Sequence, residues 1–140
     1  MNNDVFNILP HHDLVYIDTP YLNDAGVGVD YADFYHFLNG IVNYDRWDSL
    51  IDYNSKHLRL RRQFNEWNDA SLIRNAFVRL FTLFQDSVMV ISYRSNGIPA
   101  IEELVGILRE LNKEVRIHRG VEMKYALSKR QSSEVLIIAR

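Results

Sequence analysis

Four consecutive residues, Asp18-Thr19-Pro20-Tyr21, combine the groups that would hold a flat ring carrying an amino group. They follow a short apolar run at residues 14–17 that predicts a buried strand. The Asp18 carboxylate and the carbonyls of a proline-stiffened turn can accept hydrogen bonds from the amine, and Tyr21 offers a stacking surface. Such acceptors favour the pyramidal, nucleophilic form of an exocyclic amine and stabilise positive charge that develops on its nitrogen. The alternative is a plain turn after a strand, with Asp18 as its first residue.

The strands that would position this motif are indicated by continuous apolar runs. Residues 14–17 and 87–93 predict two strands buried on both faces, and a helix between them makes a parallel pair in an α/β domain the expected arrangement. Residues 115–118 and 134–139 predict two last strands that can pair antiparallel. Open α/β sheets bind ligands beyond the carboxyl ends of their strands, which is where Asp18 is expected.

Apolar residues at three- and four-residue spacing predict the helices that pack on these strands. The clearest helix extends over residues 72–84, with Asp69 as its cap. Pro99 suits the first turn of another helix. A helix over residues 31–42 and a shorter piece around Trp47 are expected before them. With no linker or repeat, residues 1–140 are expected to form a single domain.

Composition excludes several classes of function. The chain has no cysteine, which excludes disulfides, thiolate catalysis and cysteine-based metal sites and makes a cytoplasmic protein the expectation. No apolar stretch is long enough to predict a membrane span. The five histidines show no His-x-x-x-His spacing and the Gly-x-Ser-x-Gly pattern is missing, so metal-dependent and serine hydrolase chemistry are not supported.

The formal net charge of −2 conceals two opposite halves. Residues 1–54 carry nine acids and one base, whereas residues 55–140 carry nine acids and fifteen bases. A basic half can meet phosphate, and the run at residues 56–62 holds four permanent cations without an acid. The alternative for this run is a solvated helix face. The candidate phosphate-binding residues are Arg59, Arg61, Arg62, Arg94, Lys129 and Arg130.

Residues 13–21, Asp-Leu-Val-Tyr-Ile-Asp-Thr-Pro-Tyr, resemble the strand and catalytic motif of the amino methyltransferases that modify adenine in DNA. The motif of that family is Asp/Asn/Ser-x-Pro-aromatic. Residues 88–97 are similar to the strand and loop that wall the adenine pocket, and residues 125–138 resemble the closing hairpin. Residues 26–31 and 34–38 also resemble DNA adenine methylases of restriction–modification type. The resemblance covers nearly the whole chain.

The resemblance implies part of the Rossmann-like fold of S-adenosylmethionine-dependent methyltransferases, with parallel strands and a C-terminal antiparallel hairpin. It implies that Asp18 and the main-chain carbonyl of Thr19 or Pro20 bind the amino group of a flipped adenine and that Tyr21 stacks on the base. Asp18 would also meet the cofactor, S-adenosylmethionine. Thr19 replaces a commoner proline at a position that contributes mainly backbone. Asp rather than Asn at the head of the motif favours DNA adenine over glutamine in translation factors. The basic candidates above would contact double-stranded DNA.

One departure from the family concerns the glycine-rich loop that receives S-adenosylmethionine, which is missing from these 140 residues. Gly26-Val27-Gly28 does not replace it, because it follows the catalytic motif rather than a strand. The target-recognition region is missing too. The chain therefore resembles the C-terminal catalytic half of a methyltransferase, whose first strand is expected at an exposed edge that seeks the missing N-terminal half, a partner chain or a second copy. Two alternatives stay open: a non-catalytic remnant or subunit that binds DNA or a partner, and methylation of RNA or protein.

Overall fold

A computed structural model describes residues 4–20, 22–26, 28, 35–61, 64–123 and 132–140. Its centre is a four-stranded sheet with two helices packed on it. The strands of this sheet are β1 (Leu14–Ile17), β3 (Val88–Arg94), β5 (Val115–Met123) and β6 (Ser132–Ala139), and a separate two-stranded ribbon contains β2 (Leu22–Asn23) and β4 (Gly97–Ile98). The helices are α1 (His36–Val42), α2 (Trp47–Leu50), α3 (Ile73–Leu83) and α4 (Ile101–Glu110), with short 3₁₀ turns at Val5–Asn7, Tyr44–Arg46 and Glu66–Asn68.

The strand order of the sheet is β1-β3-β6-β5. β1 and β3 pair in parallel and end with Ile17 opposite Ile91, whereas β6 pairs antiparallel with both β3 and β5. The predicted α/β class, the parallel first pair and the C-terminal antiparallel hairpin are therefore confirmed. β1 lies at an edge of the sheet, as expected. The last two strands are longer than predicted, because β5 continues through a register shift after Arg119 and β6 begins at Ser132.

Helices α3 and α4 lie on the same face of the sheet and contact each other. Phe77 of α3 is fully buried, and its ring meets that of Tyr93 on β3 at a centroid separation of 5.9 Å. The buried apolar residues of α4 are Ile101, Leu104, Val105, Ile107 and Leu108. Burial of these side chains is the main favourable contribution to folding.

The sheet face opposite α3 and α4 is partly exposed, so the prediction that the first two strands are buried on both faces is wrong. Leu14 and Tyr16 of β1 are 58% and 59% exposed, and Val88 of β3 is 36% exposed. Because side chains alternate along a strand, these three residues share the face opposite α3 and α4. A continuous apolar run predicts that both faces of a strand are apolar, but it cannot indicate whether the same chain supplies what covers them.

The turn before α3 corrects the role predicted for Asp69. Its carboxylate accepts hydrogen bonds from the backbone N–H of Ser71 at 2.8 Å and from the Ser71 hydroxyl at 2.6 Å. These hydrogen bonds hold the pKa of Asp69 below its usual range, and the bond from the Ser71 hydroxyl has the largest effect. Leu72 precedes the first helical residue and provides no side-chain cap. The Asp69 carbonyl also accepts from the Ile73 N–H at 2.9 Å. Asp69 therefore caps the turn at residues 70–72 through which the chain enters the helix, and the regular helix begins after that turn, at Ile73.

Other helix boundaries differ by a few residues from the predicted ones. Pro99 precedes α4 by two residues instead of lying in its first turn, and the helix start is capped by Glu103, whose carboxylate accepts from the Ala100 N–H at 3.0 Å. The helix predicted over residues 31–42 is described only as α1, since residues 31–34 lie outside the described part of the chain. None of the helices in the described ranges is long and apolar enough to cross a membrane.

Glu114 connects the start of β5 to the end of β6 through an exposed ion-pair cluster. Its carboxylate lies 3.0 Å from a guanidinium nitrogen of Arg140 and 3.0 Å from one of Arg116. The hydrogen bonds from Arg140 and then Arg116 hold the pKa of Glu114 below its usual range. A carboxylate whose folded pKa is lowered contributes stability above its unfolded pKa of about 4.3, and this contribution is lost as the pH falls through the folded value.

We expect the Glu114→Gln variant to melt at a slightly lower temperature than the wild type near pH 7, with a difference that shrinks as the pH falls below about 4. The effect is small because the cluster is exposed to solvent. Thermal unfolding followed by circular dichroism across this pH range measures it, with Glu110→Gln as the control for an exposed acid in the neighbouring helix. A difference between wild type and Glu114→Gln that does not change with pH would contradict this assignment.

Candidate functional site

Asp18 is the first residue after β1, at the carboxyl end of the parallel pair. The preceding residue, Ile17, is buried against the core, whereas Asp18 itself is exposed. The apolar run thus anchors the strand while its end delivers a carboxylate to solvent. This is the position at which open α/β sheets bind ligands, as the sequence predicts.

Thr19 and Pro20 follow Asp18 and are half-buried. The Thr19 hydroxyl oxygen is buried and has no hydrogen-bond partner among the described residues. Pro20 has no N–H, so its peptide contributes only a carbonyl acceptor. Tyr21, the fourth residue of the motif, lies outside the described residues. Three of the four predicted catalytic residues are therefore described, and they lie in the irregular segment that follows β1.

A cavity of about 550 Å³ opens beside this turn and extends along the free edge of β1. Its volume lies in the range of roughly 300–1,000 Å³ that is typical of small-molecule sites. Polar groups of Asp18, Thr19 and His12 line part of it, and the rest of its wall is apolar. The apolar lining residues are Val5, Ile8, Leu14, Val15, Ile17, Pro20, Trp67, Leu80 and Phe84, with the ring of Tyr16 beside them.

The ribbon of β2 and β4 lies next to the motif in sequence, because β2 begins at Leu22. Leu22 is fully buried and pairs with Ile98, and this pairing links the motif to the loop after β3. The Tyr93 hydroxyl stabilises that loop by donating a hydrogen bond to the Pro99 carbonyl at 2.7 Å. Burial raises the pKa of Tyr93 well above its usual range, so the hydroxyl keeps its proton. A Cβ at Gly97 would come 2.7 Å from the Tyr93 ring, which explains the glycine.

Arg94 is the last residue of β3 and lies at the same end of the sheet as Asp18. Its Nε donates to the Asn96 side-chain oxygen at 2.6 Å, and Glu134 stands opposite it on β6. A cross-strand acid and a loop amide therefore orient the guanidinium. Of the predicted basic residues, Arg94 is the one that the described structure brings to the end of the sheet that carries the motif.

Arg59 and Arg61 belong to a different part of the molecule. Their backbones close a loop onto the α2 region, with the Arg59 carbonyl accepting from the Asp52 N–H at 2.7 Å and the Arg61 N–H donating to the Leu50 carbonyl at 2.8 Å. An isolated bridge between Ile51 and Leu60 completes the loop. Residues 56 and 57 form a turn and residues 58–61 an irregular loop with the bridge at Leu60, so the alternative of a solvated helix face is wrong for them. Arg62, Lys129 and Arg130 lie outside the described residues.

No pattern in the sequence indicates that several of the cavity residues belong to a site. His12 and Ile8 come from a segment before β1 with no periodicity. Trp67 packs on Phe77 in the core at 5.2 Å between ring centroids, and it also lines the cavity. An aromatic residue in a 3₁₀ turn has no pattern that separates these roles.

Within the described ranges, no group of three or more histidine or acidic side chains could hold a metal ion. The hydrogen-bond acceptors at the site are a carboxylate, a hydroxyl and carbonyls beside an apolar wall, which suits an organic cation or an amine. Comparisons with models of protein families, with curated proteins and with solved structures give no match to this chain.

Proposed function

We propose that this chain is the catalytic part of a DNA adenine methyltransferase, which transfers a methyl group from S-adenosylmethionine to the 6-amino group of adenine. The observation that carries the proposal is the position of Asp18, Thr19 and Pro20. They lie just beyond a strand that is parallel to its neighbour, at the mouth of a cavity of about 550 Å³.

The topology supports the finer assignment of a partial Rossmann-like methyltransferase fold. The resemblance implies parallel strands followed by an antiparallel hairpin, and the order β1-β3-β6-β5 has this form. It also implies that the strand before the motif lies at an edge of the sheet that these 140 residues form. β1 does lie at an edge of the described sheet. The proposal thus requires no element that contradicts the described fold.

In this proposal the motif acts on the amine through hydrogen bonds and stacking. The Asp18 carboxylate and the carbonyl of Thr19 or Pro20 accept hydrogen bonds from the two N–H groups of the adenine amino group. These hydrogen bonds turn the nitrogen lone pair out of conjugation with the ring. The same acceptors stabilise the positive charge that grows on nitrogen as the new bond to carbon forms. Tyr21 holds the flipped base by stacking. Arg94, at the same end of the sheet, is the described residue best placed for a phosphate or base contact.

The residues beside the cavity fit S-adenosylmethionine in charge and shape. Asp18 supplies a negative charge for a cationic ligand, and the largely apolar wall, including Trp67, suits its uncharged parts. When bound, this cofactor supplies an electrophilic methyl group. Asp18 is the residue of this chain that we assign to it, and the glycine-rich loop of the family would come from outside these 140 residues.

A second candidate function is a non-catalytic subunit or remnant that binds DNA or a partner. The exposure of Leu14 and Tyr16 at the edge of the sheet favours it, because exposed apolar patches mark interaction surfaces. This candidate predicts retention of DNA that weakens steeply with salt and does not respond to S-adenosylmethionine. Methylation of RNA or protein is the third possibility.

The test is transfer of labelled methyl from S-adenosylmethionine to mixed-sequence duplex DNA, with this chain alone and with a glycine-rich N-terminal half supplied. We expect transfer with the mixture, since the chain alone lacks the loop that receives the cofactor. RNA and protein are offered in parallel as acceptors. Salt-sensitive DNA retention without transfer in any sample would favour the binding subunit, and labelling of RNA or protein alone would move the assignment to that substrate.

A further inference from the structure

The side chain of Thr19 carries a buried polar group that the described residues leave without a hydrogen bond. Its hydroxyl oxygen is closed off from solvent and has no partner among them. The other such atom in the described ranges is the side-chain oxygen of Asn68, next to Trp67 in the cavity wall. A hydroxyl can donate one hydrogen bond and accept two, and native proteins leave few buried polar groups unpaired because each costs stability. Both unpaired atoms therefore belong to segments that form the cavity.

The position of Thr19 gives its hydroxyl a way to reach this cavity. Thr19 lines the cavity between Asp18 and Pro20, and the residue as a whole is only half-buried. The hydroxyl and the methyl group branch from the same carbon, so a rotation of about 120° about the Cα–Cβ bond exchanges their places. Such a rotation can turn the hydroxyl toward the cavity without any movement of the backbone.

The surroundings of the Thr19 hydroxyl do not support a structural role. A structural role is illustrated by Thr82, whose hydroxyl donates to the Val78 carbonyl at 2.8 Å and so satisfies itself within its own helix. Solvent does not satisfy the Thr19 hydroxyl either, because its oxygen is closed off. Valine has the same shape without the hydroxyl, so the described contacts alone would be at least as stable with valine at this position.

We propose that the Thr19 hydroxyl is a ligand contact: a molecule that enters the cavity turns the side chain and forms the hydrogen bond that the hydroxyl lacks. The adjacent groups are the Asp18 carboxylate and the Pro20 carbonyl, so the class of ligand is an amine or an organic cation. This gives a role to the side chain of a residue that the motif was expected to use through its backbone. The inference rests on the proposed function only in the choice of S-adenosylmethionine and adenosine as probes.

The stability of the free chain is the first test. We expect Thr19→Val to unfold at a urea midpoint no lower than that of the wild type, since it loses no hydrogen bond and removes an unpaired buried group. Thr82→Val is the matched control, because the same change there removes an existing hydrogen bond and is expected to lower the midpoint. A lower midpoint in Thr19→Val would overturn the proposal, because the hydroxyl would then have a structural partner.

Calorimetric titration with S-adenosylmethionine and with adenosine is the second test. We expect Thr19→Val to weaken binding about three- to tenfold, which corresponds to one hydrogen bond, and Thr19→Ser to restore it. Thr82→Val should leave the affinity within about twofold of the wild type. A loss with both probes would place the hydroxyl at the adenine amine, and a loss with S-adenosylmethionine alone would place it at the charged part of that molecule. Unchanged affinity in Thr19→Val, or no binding of either probe to the wild type, overturns the proposal.

Methyl NMR follows the rotation of the side chain itself. The chain has two threonines, so isotopically labelled threonine gives two methyl signals, and that of Thr82 is an internal reference. We expect the probe to change the three-bond couplings of the Thr19 methyl group, which report its rotamer, and to leave those of Thr82 unchanged. Binding without such a change would contradict the proposal. None of these measurements requires methyl transfer, so failure of the methyltransferase assay alone counts against the proposed function and not against this contact.

Discussion

Replacing Asp18 with asparagine is expected to slow methyl transfer by the assembled enzyme by about 100- to 1,000-fold. Asparagine has nearly the same shape and keeps one acceptor oxygen, but it removes the negative charge that stabilises the developing positive charge on nitrogen. Because Asp18 is exposed and follows the strand, the variant should unfold at the same temperature as the wild type. The measurement is the single-turnover rate of transfer with DNA and cofactor in excess.

Asp13 offers the matched control for this variant. It is an exposed acid at the opposite end of the same strand, so Asp13→Asn changes the net charge of the chain equally. We expect Asp13→Asn to keep the wild-type rate within about twofold, since it lies outside the proposed catalytic turn. Equal losses in the two variants would mean that net charge, and not the position of Asp18, governs the rate. An unchanged rate in Asp18→Asn would refute the catalytic assignment.

Replacing Phe77 with alanine is expected to lower the free energy of unfolding by about 3–5 kcal/mol. Phe77 has no exposed surface and lies where helix α3 meets the sheet. Its ring contacts those of Trp67, Phe81 and Tyr93, with centroid separations of 5.2, 5.5 and 5.9 Å. Truncation removes these contacts and leaves a cavity. The expected loss is a large fraction of the total free energy of unfolding, which is about 5–15 kcal/mol for a single domain.

Urea unfolding followed by circular dichroism measures the effect of this substitution through the midpoint at constant slope. Phe64→Ala is the control, because the same side chain is removed at a position that is 81% exposed. We expect the control to change the free energy of unfolding by less than about 0.5 kcal/mol. A Phe77→Ala variant as stable as Phe64→Ala would contradict the packing described for α3.

Much of the central sheet could be predicted from the sequence because its strands are short apolar runs. The first strand begins and ends at the predicted residues, and the second is displaced by one. Helix α3 was equally clear, since its apolar positions recur at helical spacing. Boundaries depend on local polar contacts, which are harder to read. Asp69 caps the turn at residues 70–72, and the regular helix begins only after that turn, at Ile73.

Features that depend on tertiary contacts could not be predicted. Strands β2 and β4 have two residues each, too few for any periodicity, although they link the motif to the loop after β3. The described part of the basic run, residues 56–61, forms a turn and an irregular loop because its backbone bonds to the α2 region, which charge alone does not reveal. The cavity is built from an unpatterned N-terminal segment and a 3₁₀ turn that meet only in the folded chain.

The motif itself was found from sequence because its chemistry is local. Asp18, Thr19 and Pro20 are consecutive and follow an apolar run directly, so the pattern is visible without knowledge of distant residues. The buried hydroxyl of Thr19 is different, because only the folded structure shows that it has no hydrogen-bond partner among the described residues. In the same way, the apolar run of β1 does not indicate which strand or helix will pack beside it. Its free edge and open face are therefore visible only in the folded structure.

The atom that receives the methyl group is the most direct test of the proposed function. The measurement uses S-adenosylmethionine with an isotopically labelled methyl group, duplex DNA, and this chain combined with a glycine-rich half, followed by digestion to nucleosides and mass spectrometry. The proposal predicts the label on the 6-amino nitrogen of adenine and its loss with Asp18→Asn. Label on cytosine or on protein, or label on adenine that Asp18→Asn leaves unchanged, would contradict the proposal.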